Sequence, residues 1–436
     1  MASSRRSFLF GAAASFGAAA VAGTALPQRR RVARIGGEPR RLMVIGVGGR
    51  GGDNLGGVAG ERIEILCDVD GRRLAAAGKK HPDARQIADF RSVLGDAEAC
   101  RKLDGVVIST PDHTHFLPAM LALRHGLDVY CEKPLTHTVA QARALAAAAK
   151  EFGGVTQMGI QIHANENYRR VVEAVRAGAV GPVRKVIVFV NGTDWSATEL
   201  PREVPVPEQL DYELWLGPAA KQPFREGFHP AAWRRYRAFG GGTTADMGCH
   251  FVDLAFWALE LDAPRTLVAE ASANDAHCAP AGLHCTYEFG ARGDRPALEL
   301  VWHGGKDRPA AELEARGLEG WTNGVLFLGD DGWLISDYTR HVIGPVARAE
   351  SFEPPPHSIP PSPGHYQEWL QCCRERSQPS CSFAYGGPLT ETVLLADVAA
   401  RARPGKKLSW DAAQLRFDDD AANALLTETA RDGFGA

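Results

Sequence analysis

The chain has 436 residues, of which 45% are hydrophobic and 23% are charged, so it is long enough for two or three globular domains. These proportions exclude a largely disordered chain, and a formal net charge of -3 argues against a nucleic-acid-binding surface that covers much of the molecule. The 9 cysteines form no CxxC pair, which argues against a small disulfide scaffold or a zinc ribbon.

The first residues have the order of an export signal. Arg5 and Arg6 precede a charge-free run at residues 7–28 that is rich in Ala and Gly. The paired arginines resemble a twin-arginine (Tat) signal, so we expect export to the periplasm and no integral membrane span in the mature chain. The alternative is a retained membrane anchor, since about 20 apolar residues can cross a bilayer. We assign residues 1–33 to this leader and a basic linker.

A glycine fingerprint follows the first predicted strand. Residues 41–45 are apolar and run directly into the sequence GVGGRG, which has the pattern GxGxxG. In such a loop Gly46 allows a tight turn, Gly48 lets a pyrophosphate approach, and Gly51 lets the helix pack closely on the strand. The pattern in this context predicts a dinucleotide-binding loop.

A carboxylate completes the fingerprint. An apolar run at residues 63–67 ends at Asp68, where the fingerprint places an acid for the adenosine ribose hydroxyls. The carboxylate favours NAD, while the nearby Arg72 and Arg73 leave NADP possible. Strand and helix patterns then alternate, which predicts a doubly wound parallel sheet over residues 38–160.

The later elements of this domain also have boundaries in the sequence. Further buried strands are predicted at residues 104–110, 127–131 and 155–160. The helix before the second of these ends near Gly126, which suits a residue just past a helix end. Thr138 and Gln141 have the spacing of a capping box that opens the next helix.

Two short motifs lie further along the chain. Glu132-Lys133-Pro134 follows a predicted strand, and Asp246 and His250 begin an apolar helix in the spacing DxxxH. Together with the glycine fingerprint, these motifs resemble the Gfo/Idh/MocA family, which includes glucose–fructose oxidoreductase and inositol dehydrogenase. The resemblance covers nearly all of the chain after the leader.

The resemblance implies a fold and a function. It implies a Rossmann domain followed by a C-terminal α/β domain with an open, mostly antiparallel sheet, which we place at residues 161–436 with a possible return to the first domain. It implies NAD as cofactor, a sugar or cyclitol as substrate, and a homo-oligomer that packs through the open sheet face. Lys133 would lie beside the nicotinamide, with Asp246 and His250 at the substrate. The predicted cofactor site comprises Gly46, Gly48, Gly49, Arg50, Gly51, Asp68, Thr110, Pro111, His115, Glu132 and Lys133.

The motif residues suit the oxidation of a secondary alcohol. The ordinary pKa of histidine lies near neutrality, so His250 can accept the hydroxyl proton. Asp246 lies four residues earlier on the same helix face, where it can orient the imidazole or bind a substrate hydroxyl, and Asp253 can do so from the other side. Lys133 can polarise the developing oxyanion. The alternative is a helix N-terminus capped by Asp246, with His250 merely packed.

Further polar and aromatic residues complete the predicted substrate site. It comprises Gln161, His163, Tyr168, Trp233, Arg234, Asp246 and His250. For the first three, the alternative is the polar start of a helix capped by Asn165. For the tryptophan and the arginine, the alternative to a sugar-stacking face is packing at the surface or in the core.

No metal site is predicted. The pairs His277-Cys278 and His284-Cys285 repeat at a spacing of seven residues. Adjacent residues on a strand face opposite ways, so neither pair can converge on one ion.

Three functions follow from these observations. The first is an NAD(P)-dependent oxidoreductase of a sugar, glycoside or cyclitol. The second is a redox-neutral enzyme with tightly held NAD, either a sugar–sugar oxidoreductase or an NAD-dependent glycosidase, because free NAD is scarce outside the cytoplasm. The third is a non-catalytic sugar-binding protein that keeps the cofactor as a structural group.

Overall fold

The computed structural model describes residues 38–435, and the predicted leader at residues 1–33 lies outside this range. Two sheets organise the described chain, one of six strands and one of nine. None of the helices in this range is long and apolar enough to cross a membrane.

The first sheet is entirely parallel. Its strands are β1 (Arg41–Ile45), β2 (Arg62–Cys67), β3 (Arg85–Ile87), β4 (Gly105–Ile108), β5 (Asp128–Glu132) and β6 (Thr156–Gly159). They lie in the order β3-β2-β1-β4-β5-β6. The strands β4, β5 and β6 are buried throughout, as expected for a parallel sheet that helices cover on both faces. The predicted doubly wound sheet is therefore confirmed.

Six helices accompany this sheet. They are α1 (Arg50–Gly57), α2 (Gly71–Lys80), α3 (Arg91–Leu94), α4 (Ala97–Cys100), α5 (Phe116–Arg124) and α6 (Val139–Phe152). Gly126 follows α5 with a φ of 67°, the left-handed conformation that ends many helices. Thr138 and Gln141 form the predicted capping box at the start of α6, each side chain bonding the backbone N–H of the other.

The glycine loop lies where the strand order reverses. β1 has β2 on one side and β4 on the other, so the chain leaves β1 at the switch point where doubly wound folds bind ligands. Gly46 has a φ of 79°, and a Cβ there would lie 2.7 Å from the Ser109 carbonyl oxygen. A Cβ on Gly51 would lie 1.9 Å from the Gly46 carbonyl oxygen. Only glycine fits at these two positions.

The second sheet is mixed. Its strands are β7 (Val183–Val190), β8 (Thr266–Ala271), β9 (Gly282–Phe289), β10 (Leu298–Gly305), β11 (Asn323–Gly329), β12 (Gly332–Ser336), β13 (His341–Gly344), β14 (Leu408–Asp411) and β15 (Arg416–Phe417). The order is β13-β12-β11-β7-β10-β9-β8-β14-β15, and only the β7–β10 pair is parallel among these neighbours. The predicted mostly antiparallel sheet is confirmed.

Helices lie on both faces of this sheet. The helices of this part are α7 (Glu166–Arg176), α8 (Tyr212–Leu216), α9 (Gly242–Leu259), α10 (Ala310–Glu314), α11 (Val346–Ser351), α12 (His365–Glu375), α13 (Phe383–Ala402) and α14 (Asp420–Asn423). Along β9 the side chains alternate between buried positions such as Cys285 and half-buried positions such as His284 and Thr286. The half-buried side chains belong to the outer face, away from α9.

The C-terminal part returns to the first sheet. Trp369 on α12 is fully buried against an apolar cluster that includes Leu42 and Val44 of β1. Arg376 follows α12 and pairs with the Asp128 carboxylate of β5 at 2.7 Å. The last third of the chain therefore completes the core of the first domain.

We predict opposite effects for alanine at two glycines of α1. Gly51→Ala places a methyl group against the Gly46 carbonyl oxygen and should cost about 3 kcal/mol or more in the free energy of unfolding. In Gly56→Ala the added methyl group has no atom within 4 Å, because this part of the helix is exposed. Alanine favours the helix over glycine, so the free energy of unfolding should rise by up to about 1 kcal/mol. Chemical denaturation of both variants measures the difference, and equal stabilities would contradict the described loop geometry.

Candidate active site

The two domains meet at an ion pair between the motifs. Lys133 follows β5 and precedes Pro134, and the peptide bond between them is cis. The Lys133 Nζ donates to Asp246 Oδ1 at 2.5 Å and to the Asp246 backbone oxygen at 2.6 Å. Asp246 lies in the second turn of α9. The structure thus brings together the two motif residues that are 113 positions apart.

Asp246 accepts hydrogen bonds from two further side chains. The Trp195 indole Nε1 donates to Oδ2 at 2.8 Å, and the Arg234 Nε donates to Oδ1 at 3.1 Å. Burial raises the pKa of Asp246, but the positive charges of Lys133 and Arg234 outweigh burial and hold that pKa well below its ordinary value. The carboxylate is therefore ionised at neutral pH.

His250 is one helical turn beyond Asp246. Burial, together with the positive charge of Lys133, lowers the pKa of His250 to about 3, so the imidazole is neutral at physiological pH. Its Nδ1 is buried and has no hydrogen-bond partner among the described residues. A neutral imidazole with an unpartnered ring nitrogen can form a hydrogen bond with a substrate hydroxyl group.

Neither Asp246 nor Asp253 is hydrogen-bonded to His250 among the described residues, so the predicted orientation of the imidazole by an aspartate is not observed, whereas binding of a substrate hydroxyl stays a prediction. Both Asp246 oxygens are engaged by other side chains, and no hydrogen bond joins Asp246 to His250 within residues 38–435. Asp253 instead accepts hydrogen bonds from His163 Nδ1 at 3.0 Å and from the Tyr385 hydroxyl at 2.6 Å. The capping alternative fails as well, because the N-cap of α9 is Gly241.

Four predicted site residues are buried. His163 is 1% exposed, bonds Asp253 and stacks on Trp257 at a centroid distance of 3.8 Å. Tyr168 is 0% exposed, and its hydroxyl donates to the His250 backbone oxygen at 3.1 Å. Trp233 is 5% exposed in an apolar cluster, where Arg234 stacks on its ring. These side chains are buried among protein groups in the described chain, and their contact with a substrate stays a prediction.

The fourth of these residues, His115, was assigned to the cofactor. Its Nδ1 lies 2.9 Å from the Pro134 carbonyl oxygen and its Nε2 lies 2.8 Å from the Thr110 carbonyl oxygen. Burial lowers the pKa of His115 to about 4, whereas the hydrogen bonds to the two carbonyl oxygens raise it. The fully buried ring lies between the loop after β4 and the loop after β5, and its contact with a cofactor stays a prediction.

Glu132 is held by side chains from three parts of the chain. Its Oε1 accepts hydrogen bonds from the Asn54 amide at 2.9 Å and from the Gln161 amide at 2.8 Å. The Tyr366 hydroxyl donates to the Asn54 Oδ1 at 2.8 Å. Burial raises the pKa of Glu132. Gln161 thus lies beside a predicted cofactor residue, whereas Asn54 and Tyr366 were not predicted.

Asp112 is a further site residue that the sequence analysis missed. It follows Pro111 in a short 3₁₀ helix, Asp112–Thr114, at the carboxyl end of β4. Burial raises its pKa to about 7, although Arg234 and Lys133 lower it. Its position in the sequence could have indicated this, because a carboxylate directly after a parallel strand lies at the edge of the sheet where such folds bind ligands.

The loop after β1 fits a dinucleotide. Asp68 Oδ2 accepts a hydrogen bond from the Val47 N–H at 2.9 Å, which places the carboxylate directly beside the glycine loop. A Cβ on Gly48 would lie 2.4 Å from the Arg73 guanidinium, so a larger residue there would require the Arg73 side chain to move. The Thr110 Oγ1 is buried without a partner among the described residues. Gly48, Gly49 and Arg50 would hold the pyrophosphate at the start of α1, and Asp68 would hold the ribose.

Comparison with known families agrees with this architecture. Residues 40–160 match the oxidoreductase family GFO_IDH_MocA with its NAD-binding Rossmann fold, and residues 164–293 match the C-terminal α/β domain of the same family. The first domain is therefore an NAD-binding Rossmann domain.

Curated relatives match part of the chain. Inositol 2-dehydrogenase 1 of Saccharopolyspora erythraea is 32% identical over 185 residues, which are 40% of this chain and 54% of that protein. D-Apiose dehydrogenase of Paraburkholderia graminis is 33% identical over 128 residues, 28% of this chain and 32% of that protein. The chain thus spans about half the length, or less, of these relatives.

Solved structures share the fold over most of the chain. The WlbA dehydrogenase from Bordetella pertussis, in complex with NADH and UDP-GlcNAcA, has a TM-score of 0.60 at 18% identity and covers 86% of this chain and 99% of its own. The myo-inositol 2-dehydrogenase from Lactobacillus plantarum has a TM-score of 0.58 at 16% identity and covers 86% and 100%. At these identities the likeness establishes the fold.

We predict that Asp112→Asn changes how stability depends on pH. The folded-state pKa of about 7 lies above the model-peptide value near 4, so the stability of the wild type falls as pH rises from about 4 through about 7. The neutral amide avoids this loss. From pH 5 to pH 8 the free energy of unfolding of the variant, relative to that of the wild type, should rise by about 2–3 kcal/mol, because each pH unit in the titration range contributes roughly 1.4 kcal/mol.

Thermal or denaturant unfolding across this pH range measures the gain. The matched control is Asp83→Asn, at an exposed carboxylate, which should run parallel to the wild type. Parallel curves for Asp112→Asn would contradict the raised pKa.

Proposed function

The chain belongs to the Gfo/Idh/MocA oxidoreductase family, and on that basis we propose that it transfers hydride between a secondary alcohol of a sugar, glycoside or cyclitol and NAD. The observation that carries the proposal is the Lys133–Asp246 contact, with the neutral His250 one helical turn away. The named activities of the curated relatives, on inositol and D-apiose, support this substrate class.

Each side chain has a distinct part in the proposed reaction. Bound NAD supplies the hydride acceptor or donor. His250 takes the hydroxyl proton, for which its neutral state is required. Lys133 Nζ donates to Asp246 before the substrate binds. In the reaction it donates to the substrate oxygen instead, where its charge stabilises the developing oxyanion.

The surrounding groups keep this arrangement in place. Asp246 retains Arg234 and Trp195 as donors when Lys133 moves to the substrate, so its buried charge stays compensated. Asp112, with a pKa of about 7, is mostly uncharged at slightly acidic pH and leaves the positive charge of Lys133 available to the oxyanion. The site therefore favours negative charge on the substrate oxygen.

A second candidate is the redox-neutral enzyme with captive NAD. The supporting observation is in the sequence, where Arg5 and Arg6 precede the charge-free run at residues 7–28. We propose that this segment directs export by the twin-arginine route to the periplasm, where NAD is scarce and a retained cofactor is an advantage. Self-association through the outer face of the second sheet is part of the same proposal.

We predict that Lys133→Met and His250→Gln each lower kcat/KM by about 10²–10⁴-fold in a screen of cyclitols, aldoses and glycosides, because each removes a group that handles the transferred proton or the oxyanion. NADH formation is the measurement. Lys150→Met, at an exposed position of α6, is the matched control and should keep full activity. Wild-type rates in both variants would overturn the proposed roles and favour the non-catalytic binding protein.

The retained nucleotide distinguishes the two candidates. The full chain is purified, dialysed and denatured, and the released nucleotide is identified by mass spectrometry. One NAD per chain, with turnover of a sugar in the absence of added NAD, is the result expected of the redox-neutral enzyme. Loss of nucleotide on desalting, with activity restored by added NAD, is the result expected of the dehydrogenase.

A further inference from the structure

A second cluster of reactive side chains lies on the outer face of the second sheet. β9 and β10 are antiparallel neighbours, and their register pairs His284 directly with His303. The flanking residues Cys285 and Trp302 are buried on the other face, where the Trp302 indole donates to the Thr244 hydroxyl of α9. The two imidazoles therefore face away from the candidate active site.

A tight bend adds a carboxylate to this pair. Gly305 ends β10 with a φ of 71°, and a Cβ there would lie 2.1 Å from the Ala281 carbonyl oxygen, so only glycine allows the chain to turn so closely. The Asn191 amide donates to the Gly305 oxygen at 2.8 Å and to the Asp307 oxygen at 2.7 Å. These two hydrogen bonds hold the backbone at Asp307, whose side chain contacts His303.

Three ligand atoms converge at this point. The Asp307 Oδ2 lies 2.7 Å from His303 Nδ1 and 3.2 Å from His284 Nδ1, and the two Nδ1 atoms are 3.4 Å apart. Zinc bonds of about 2.0–2.1 Å in a tetrahedron separate neighbouring ligand atoms by about 3.3–3.4 Å. Two of the three separations already match, and the third requires Asp307 to move by about 0.6 Å.

We propose that His284, His303 and Asp307 bind one divalent transition-metal ion of the zinc type. Two imidazoles and one carboxylate suit Zn²⁺ and its first-row neighbours, whereas Ca²⁺ and Mg²⁺ require more oxygen ligands. Within residues 38–435 this is the one cluster of its kind. The side chains of His303, Asp307 and His284 are 12%, 34% and 40% exposed, so the remaining coordination position opens to solvent.

The site also has an outer layer of support. The Thr286 hydroxyl lies 3.4 Å from the Nε2 of His284, so Nε2 has a polar neighbour while Nδ1 faces the cluster. No metal site is predicted from His284 and Cys285 because adjacent side chains on a strand face opposite ways, and β9 shows this alternation. The partners of His284 come from the next strand and from the bend beyond it.

The test uses the full chain purified without a polyhistidine tag, stripped with a chelator and titrated with Zn²⁺ by calorimetry and with Co²⁺ by visible absorption. We expect one ion per chain with a micromolar or lower Kd, and d–d bands of bound Co²⁺. His303→Ala and Asp307→Asn should each weaken binding at least tenfold.

Two controls separate this site from other histidines. His277→Ala removes an exposed histidine outside the cluster, and His250→Gln removes the imidazole of the candidate active site. Both variants should bind Zn²⁺ like the wild type. Thermal unfolding of the metal-free His303→Ala and Asp307→Asn variants checks that they remain folded.

The proposal is overturned if the wild type takes up no Zn²⁺ beyond the level of His303→Ala. It is also overturned if His250→Gln removes the binding, since the ion then belongs to the candidate active site. In the first case, the three side chains are a hydrogen-bonded group that shares protons. Because the readout is metal binding, failure of the proposed hydride transfer leaves this result unaffected.

Discussion

The Lys133–Asp246 ion pair is the contact on which the arrangement of the site depends. A buried carboxylate is strongly disfavoured unless cations and donors compensate it, so Asp246 must be close to Lys133, Arg234 or both. Lys133 belongs to the first domain and Asp246 to α9, which rests on the second sheet. The ion pair therefore joins the end of β5 to the first turns of α9. Burial is the main cause of the lowered pKa of His250, and the positive charge of Lys133 lowers it further.

The elements of the first domain could be predicted because their signals are local. The glycine loop, the capping box at Thr138 and the buried strands each depend on residues within a few positions of one another. The family resemblance names Lys133, Asp246 and His250 together, and the structure shows a contact between the first two across 113 positions. The physical pattern alone indicated the residue types and left the contact open.

The surroundings of several polar residues come from distant parts of the chain and could not be predicted. His163 has the polarity of a ligand-binding residue, yet Tyr385 from α13 and Asp253 from α9 enclose it. Asn54 and Tyr366 are 312 positions apart, so no local pattern connects them to Glu132. His284 and His303 lie on different strands, and the register of those strands places them side by side. Spacing along a single strand does not predict this cluster. Burial and register are properties of the folded chain, and side-chain polarity is a poor guide to either.

The return of α12 to the first domain has a consequence for the order of events during synthesis. Trp369 is part of the same apolar cluster as Leu42, so the hydrophobic core of the nucleotide-binding half lacks a member until more than 360 residues have been translated. Ribosomes add about 5–20 residues per second, so the nascent N-terminal half waits many seconds with this surface uncovered. The apolar cluster beside β1 can therefore be completed only after α12 has been synthesised, however much of the first sheet has formed by then.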